Sequence, residues 1–283
     1  MSTTQQLESP ALRRSRSRGW RWTAVTVAIL VVYLFPIYWM LTASFQPRVS
    51  SANVHWLPSH PGLQGYTALF SNGGLTSLQV SIIVSFGSVI LTLLVAVPAA
   101  HALSRLRSRA VGFALILLLL AQMIPSIVLA DSFYAMFNNW GVLNTYIGLI
   151  LADATAGVPF AVILLRSFLL RLDTDVIEAA TLDGAGPVGV LVRIVIPLAR
   201  NAIITAAVFT FLFSWGDLLF GLTLVTKDQL YPVTVFIYAL TQSQVSSWAS
   251  VMAASLIASL PALVVILGAQ RFVKAGIAVG GGR

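Results

Sequence analysis

Six long apolar runs dominate this chain and constrain its fold more than any other feature of the sequence. The first, residues 23–45, would extend for roughly 35 Å as an α-helix at ~1.5 Å per residue, which exceeds the ~30 Å hydrocarbon core of a bilayer. A signal peptide has an apolar region of only ~7–15 residues, so we interpret this run as an uncleaved anchor. The sequence therefore predicts an all-α integral membrane protein with six transmembrane helices, at residues 23–45, 78–103, 110–133, 142–168, 202–225 and 248–269.

The basic residues are distributed as signals of membrane topology. Only 9% of the 283 residues are charged, against roughly 25% in soluble domains. All 17 lysines and arginines except Arg48 and Lys227 lie in the terminal segments, in alternate loops or, for Arg166, at the adjoining end of the fourth run, so the positive-inside rule places both termini in the cytoplasm. We divide the chain into a basic cytoplasmic tail (1–19) that is expected to be disordered, a transmembrane domain (20–275) and a cytoplasmic C-terminal tail (276–283).

The composition argues against several classes of function. The net charge of +8 does not come from a basic face or stripe of the kind that binds nucleic acid, so no nucleic-acid partner is expected. The chain has no cysteine, which excludes disulfides and thiolate metal sites. His55, His60 and His101 lack the spacing of metal ligands, and we predict neither a metal site nor a catalytic residue. This scarcity of clustered reactive groups disfavours a membrane-embedded enzyme or assembly factor.

Two local features modify the predicted helices. Pro98, Pro125 and Pro159 lie within apolar runs and predict kinks, where the freed carbonyl groups need other partners. The apolar stretch 231–240, between the fifth and sixth runs, is too short to cross a bilayer. It predicts a re-entrant or interfacial segment, or else a surface helix, and the sequence leaves this choice open.

A polar-edged interruption, residues 175–197, separates the fourth apolar run from the fifth. It is too apolar for a solvated linker, and its glycines and prolines make it too broken to span a membrane. Asp175 and Glu178 have the spacing of a capping box, and a helix is expected over about 176–182.

The second half of the interruption carries the signals of a helix end and a new helix start. Gly184 suits the left-handed residue that ends a helix. Pro187 suits the first turn of the next helix, which Pro197 is expected to stop. The sequence thus predicts two short helices on the cytoplasmic face. They form either a docking site for another protein or an amphipathic connector that rests on lipid headgroups.

The spacing within this interruption resembles the EAA loop of bacterial ABC importer permeases. That motif has Glu-Ala-Ala, three residues, Gly, nine residues, Ile, one residue and Leu-Pro; the spacing is met throughout, with Ile196 in place of Leu. The variant with Asp-Gly-Ala after the motif start is most similar to carbohydrate-type permeases, such as the smaller permease of maltose transporters. The resemblance implies that the loop seats in a groove of an ATPase subunit through Glu178, Ala179, Ala180, Asp183, Gly184, Ala185, Ile194 and Pro197.

The resemblance also implies a set of partners and a location. It implies a permease of the bacterial inner (plasma) membrane, surrounded by lipid, that pairs with a second permease as a heterodimer. Two ATPase subunits would bind ATP and Mg, and an external solute-binding protein would deliver a sugar or related polyol. The chain itself has no GxxxxGK[ST] phosphate loop, so ATP hydrolysis is assigned to the partners, and no cofactor is expected on this chain.

Four side chains within the apolar runs are candidates for the solute path. An aspartate at a helix centre costs about 2.5–3.5 kcal/mol on insertion scales, so Asp153 is expected either to face a cavity or to tie two helices together. Trp215 and Asp217 could stack on a sugar and accept its hydroxyl protons, or they could brace the fifth helix. Gly216 replaces the Asn that is usual in the family, and Gln122 completes the set. The alternative function is a proton-coupled secondary transporter that uses Asp153 and Asp217.

Overall fold

The computed structural model describes residues 11–46, 55–58, 60–172, 174–243 and 247–278, and over these residues the fold is all-helical. A short 3₁₀ turn, Asp228–Leu230, is the link between two of the later helices. The α-helices are α1 Ala11–Ser44, α2 Gln64–Ser71, α3 Gly74–Arg105, α4 Arg109–Gln122, α5 Ser126–Trp140, α6 Tyr146–Leu169, α7 Thr174–Leu182, α8 Pro187–Leu198, α9 Arg200–Gly216, α10 Leu219–Leu224, α11 Val233–Gln242 and α12 Trp248–Ala278.

Four described helices are long and apolar enough to cross a membrane, and the number rises to six if each of two bent pairs counts as one span. The prediction of one helix over 110–133 is wrong, because α4 and α5 meet at an angle of 94°. The break coincides with Pro125, which has no N–H to donate and restricts the backbone of the residue before it. The kink expected at Pro125 is therefore confirmed, although it is much sharper than a kink within one span. By contrast, α3 and α6 continue through Pro98 and Pro159.

The fifth span also differs from its predicted bounds of 202–225. The helix α9 begins at Arg200, where it meets α8 at 80°, and it ends at Gly216. The carboxylate of Asp217 then accepts hydrogen bonds from the backbone N–H groups of Phe220 (3.0 Å) and Gly221 (3.2 Å). Because this carboxylate satisfies the first N–H groups of α10, the chain starts a new helix there instead of extending α9.

The first and last helices reach into the segments predicted as tails, and the division of the chain into tails and a transmembrane domain stays a prediction. The helix α1 begins at Ala11, nine residues before the predicted domain start, and residues 1–10 lie outside the described part. Alanine, leucine and arginine favour helix, which explains why α1 begins within the basic segment, ahead of the candidate span Trp22–Ser44. At the other end α12 continues to Ala278, and residues 279–283 lie outside the described part.

The chain divides into two compact units. The first comprises Met1–Tyr66 with Ser247–Leu256. Within it the hydroxyl groups of Ser44 and Tyr66 share a hydrogen bond of 2.8 Å. A Cβ atom on Gly65 would lie 2.7 Å from the carbonyl oxygen of Ala249, so only glycine allows this approach of the two segments.

The second unit comprises Thr67–Ser246 with Ile257–Arg283. Its centre is the pair α3 and α6, and α9 packs against both. The buried face of α3 consists largely of small residues such as Ser85 and Ala96, whereas Leu94, Phe86 and Ile90 on the same helix are exposed. This pattern is typical of helices in lipid, where close packing of small residues drives association because lipid is as apolar as leucine.

The short apolar stretch between the fifth and sixth spans forms α11. One side of this helix is buried, including Val233, Phe236 and Leu240. The N–H of Val233 donates a 2.8 Å hydrogen bond to the hydroxyl of Ser81, which fixes the start of α11 to α3. A helix is therefore present, and its position relative to the membrane stays a prediction.

Candidate functional site

The corner between α7 and α8 is a Schellman motif. Gly184 has a φ of 85°, and its N–H donates to the carbonyl of Thr181 at 3.1 Å. The N–H of Ala185 donates to the carbonyl of Ala180 at 3.0 Å. These two hydrogen bonds satisfy carbonyl groups that the end of α7 would otherwise leave free. The predicted left-handed glycine is confirmed.

The structure corrects the predicted start of α7 and confirms the predicted start of α8. The helix α7 begins at Thr174 and has Asp175 in its first turn, so Asp175 is not the capping residue that the sequence suggested. A carboxylate in the first turn still stabilises the helix through its dipole. Pro187 is the first residue of α8, as predicted.

The prediction that Pro197 stops the second helix is wrong, because α8 extends to Leu198. A π-helical turn over Leu191–Val195 precedes the proline, and the N–H of Ile196 donates to the carbonyl of Leu191. A proline ring clashes with the carbonyl four residues earlier, and a wider π turn gives that carbonyl room. The chain turns only after Leu198, at Ala199.

The inner side of the loop is anchored in the second unit. Ile177 of α7 and Val190 and Val195 of α8 are buried. They belong to one apolar cluster with residues near the C-terminal ends of α3 and α6, including Ala100 and Leu165. The loop therefore lies at the end of the bundle where both helices terminate, and it cannot shift without disturbing their packing.

The outer side of the loop, here called the docking face, is apolar and open. Leu182 is 89% exposed and Val188 is 73% exposed. Exposed carboxylates flank these apolar side chains. Of the predicted coupling residues, Ala180, Ala185 and Ile194 are half-buried, and the others are exposed. The docking face consists of Val176, Glu178, Ala179, Leu182, Asp183, Val188 and Val192.

A second group of polar side chains, here called the polar seam, lies between α3, α6 and α9. Asp153 is only 6% exposed, and its carboxylate accepts a hydrogen bond from the hydroxyl of Ser214. On α3 the hydroxyl of Ser88 donates to the carbonyl of Val84 at 2.8 Å and approaches that of Ile150 at 3.4 Å. The seam consists of Ser85, Ser88, Thr92, Asp153, Thr210 and Ser214, all buried.

Glycine permits the close approach of the three helices at the seam. A Cβ atom on Gly157 of α6 would lie 2.8 Å from the hydroxyl oxygen of Thr92 and 2.9 Å from the methyl group of Thr210. The sequence interpretation missed the α3 residues of the seam. Their signal was present, since buried hydroxyls recur at three- and four-residue spacing along one face of α3, at Ser77, Ser81, Ser85, Ser88 and Thr92.

The remaining candidates for a solute path have contacts of a structural kind. Trp215 is buried, donates from its indole nitrogen to the carbonyl of Ala258 at 3.0 Å, and stacks on Phe211. Asp217 caps α10, and its backbone carbonyl accepts a hydrogen bond from Thr234. These contacts favour the bracing interpretation for both residues. Gln122 is exposed at the end of α4 and is not part of the polar seam. A role of these residues in a solute path stays a prediction.

Replacing Asp153 by alanine is expected to destabilise the protein by about 0.6–2 kcal/mol, because the hydroxyl of Ser214 loses its acceptor between two helices. Asp153→Asn keeps an oxygen at this place and is expected to retain most of the stability. The measurement is thermal unfolding in one detergent, with exposed Asp131→Ala as the control. An equal loss for Asp153→Asn and Asp153→Ala would contradict a role based on the hydrogen bond. An Asp153→Asn variant that is stable but does not support uptake would point to the solute path.

The long apolar helices, four or up to six of them in the described chain, are typical of a multi-pass membrane protein. Residues 88–279 match the family described as the inner membrane component of binding-protein-dependent transport systems. The chain belongs to this family, whose members are inner-membrane permease subunits of ABC importers. The resemblance to ABC importer permeases is thus confirmed. Neither the fold nor these comparisons support the alternative of a proton-coupled transporter.

Individual relatives match the chain over nearly its whole length. A probable ABC transporter permease protein, y4oR, of Sinorhizobium fredii is 31% identical and covers 92% of this chain and 94% of its own. The trehalose transport system permease protein SugB of Mycobacterium tuberculosis is 28% identical and covers 93% and 97%. A subunit in the crystal structure of a bacterial ABC transporter involved in the import of alginate has a TM-score of 0.76 at 20% identity, over 95% and 100% of the two chains. This last likeness concerns the fold.

Proposed function

We propose that this permease subunit imports a sugar or related polyol and that its docking face seats an ATPase subunit. The observation that carries the coupling role is the docking face itself. A group of exposed apolar side chains outside the long spans, bordered by carboxylates, is typical of a surface that another protein covers; here the group is Val176, Leu182, Val188 and Val192. The buried side of the same loop is packed into the ends of α3 and α6.

This arrangement supports coupling between ATP hydrolysis on a partner and movement in the membrane. Glu178, Ala179, Asp183 and Gly184 are exposed toward the partner, whereas Ile177 of the same helix is buried in the bundle. A force applied to the docking face is therefore transmitted to α3 and α6 by direct side-chain contact. ATP and Mg are assigned to the ATPase subunits in this proposal.

The carbohydrate assignment rests on the relatives. Several relatives are named as transport or uptake system permeases for trehalose, maltose or diacetylchitobiose. The solved alginate transporter is described in complex with a periplasmic protein bound to an alginate pentasaccharide. We extend this last description to an external solute-binding protein as a partner of this chain. A second, non-identical permease is proposed as a further partner from the resemblance to two-permease importers. Asp153, Trp215, Asp217 and Gln122 remain the candidates for contact with the solute.

The coupling proposal is tested by cysteine crosslinking in membranes. Every crosslink to this chain then comes from the introduced cysteine, because the chain has no native cysteine. Ala179→Cys on the docking face is expected to crosslink to an ATPase subunit, with a yield that changes on addition of ATP. The matched control is Ser71→Cys, which is also exposed but lies near the N-terminal end of α3. That end is roughly 45 Å from the loop along this 32-residue helix.

The outcomes separate the two parts of the proposal. An ATPase adduct at Ser71→Cys but not at Ala179→Cys would contradict the docking face. Uptake of labelled sugars and polyols, assayed in the same cells, tests the solute class independently. Transport that depends on the ATPase but accepts only non-carbohydrate solutes would overturn the carbohydrate assignment and leave the docking face intact.

A further inference from the structure

A basic pocket of about 420 Å³ lies at the loop end of the bundle, between α3, α4 and α6. Three arginines line it, from the end of α3, the α3–α4 connection and the end of α6. No carboxylate is among the lining residues in the described part of the chain. The pocket is therefore a positive cavity at the end of the long helices, and its polar lining includes Arg105, Arg107, Ser108 and Arg166.

Arg105 is half-buried, and part of its guanidinium group has no hydrogen-bond partner in the described chain. Its Nε atom and one of its Nη atoms are inaccessible and have no hydrogen-bond acceptor in the described structure. A buried charged donor without an acceptor is costly. Arg166 is better ordered, because its Nε donates to the carbonyl of Leu103 at 3.0 Å. Three arginines with no carboxylate among the lining residues therefore favour an anionic ligand in the pocket.

The N-terminus of α4 adds to the positive potential of the pocket. This helix has 14 residues, and its capping residue Ser108 accepts a 3.2 Å hydrogen bond from the N–H of Ala110. Ser108 itself lines the pocket. The free N–H groups and the dipole at such a terminus favour phosphate and other anions.

The other wall of the pocket is apolar and comes from membrane-spanning segments. The apolar lining comes from Val111 and Leu115 of α4 and from Leu169 and Leu170 at the end of α6. A ligand that fits both walls carries a negative phosphate group and an adjoining apolar part. The predicted topology also places this end in the cytoplasm, where the membrane leaflet carries anionic lipid.

We propose that the basic pocket binds the phosphate group of an anionic phospholipid, with Arg105, Arg107 and Arg166 around the phosphate and the leucines against the glycerol and first acyl carbons. Free phosphate carries the same negative charge, but it has no apolar part that could contact the leucines. The inference concerns regulation or stabilisation by lipid and is independent of the imported solute.

The test uses the full chain in nanodiscs that contain phosphatidylcholine with added phosphatidylglycerol, followed by native mass spectrometry. The wild-type protein is expected to retain phosphatidylglycerol selectively. Arg105→Gln is expected to lower this retention at least about fivefold. The matched control is Arg200→Gln, which removes the same charge from an exposed arginine outside the pocket and is expected to leave retention unchanged.

A second pair of variants keeps the proposal testable if Arg105→Gln fails to fold. A Cβ atom on Gly112 would meet no atom within 4 Å, so larger residues fit there. Gly112→Glu places a carboxylate inside the pocket and is expected to exclude phosphatidylglycerol, whereas the isosteric Gly112→Gln is expected to retain it. Equal retention in both variants would overturn the proposal.

Inorganic phosphate distinguishes the two sources of the anion. In nanodiscs of phosphatidylcholine alone, phosphate is expected to bind weakly and to be displaced by added phosphatidylglycerol. Phosphate binding that depends on Arg105, together with no selective retention of phosphatidylglycerol, would assign the pocket to a soluble anion instead. Retention of neither probe by the wild-type protein would refute an anion site.

Discussion

Replacing Gly157 by valine is expected to cause the largest loss of stability of any single substitution considered. The new Cβ atom would lie within 3.0 Å of side chains on both α3 and α9, and such contacts force the helices apart. Overpacking of this kind costs about 1–3 kcal/mol in well-packed interiors, and here it acts at the centre of three helices. Thermal unfolding of the purified protein and its yield in membranes measure the effect.

Two variants make this test specific. Gly268→Val on α12 is the control, because a Cβ atom there would meet nothing within 4 Å. Thr92→Ala removes the hydroxyl that is closest to Gly157, so the double variant Gly157→Val, Thr92→Ala is expected to recover part of the lost stability. If Gly157→Val were as stable as Gly268→Val, the close approach of α3, α6 and α9 would be contradicted.

Replacing Gly184 by valine is expected to reduce both ATPase-subunit binding and uptake by about tenfold, with the membrane bundle still folded. The left-handed conformation costs a non-glycine residue roughly 1–2 kcal/mol, and a β-branched residue is among the least suited to it. The Schellman hydrogen bonds of Gly184 and Ala185 would then be populated less often. Apparent affinity falls with the fraction of chains in the competent conformation.

The same loop provides the control for this variant. Gly186 has a φ of −69°, which any residue adopts, and a Cβ atom there meets nothing within 4 Å. Gly186→Val is therefore expected to be close to wild type in ATPase co-purification and in uptake. Gly184→Asn should fall between the two, because asparagine tolerates the left-handed region. Similar losses at both glycines would show that bulk, and not backbone conformation, limits docking.

The sequence predicted those parts of the fold whose cause is local. Gly184 and Pro187 are defined by their own backbone preferences, and both were placed correctly. Pro197 was misjudged because its effect depends on whether the preceding turn can widen into a π turn. The 94° break at Pro125 was recognised only as a kink, since the angle is determined by tertiary packing.

The polar seam shows what local reasoning leaves out. Asp153 was singled out from its cost in a membrane, but its partner Ser214 lies 61 positions further along the chain. Such a pair depends on which helices are neighbours in the fold, and the apolar periodicity of the sequence does not define these neighbours. Asp217 likewise was a candidate for sugar binding, because a carboxylate beside a tryptophan suits a sugar. In the structure its carboxylate accepts hydrogen bonds from the first N–H groups of α10 instead. An aspartate in an apolar run can either bind a solute or cap a helix, and only the residues that surround it in the fold show which of the two it does.

The bend at Ala199 joins the loop to one end of α9, so a rotation at the bend would move the other end of this helix. The buried Ala199 joins α8 directly to α9, without a flexible linker. The 17 residues of α9 extend about 25 Å from this point. A rotation of about 10° at the bend would therefore displace the far end by roughly 4 Å, more than the 3.0 Å bond that Trp215 makes there. If a partner tilted the docking face by this angle, the tilt would break the contact of Trp215 near the other end of α9.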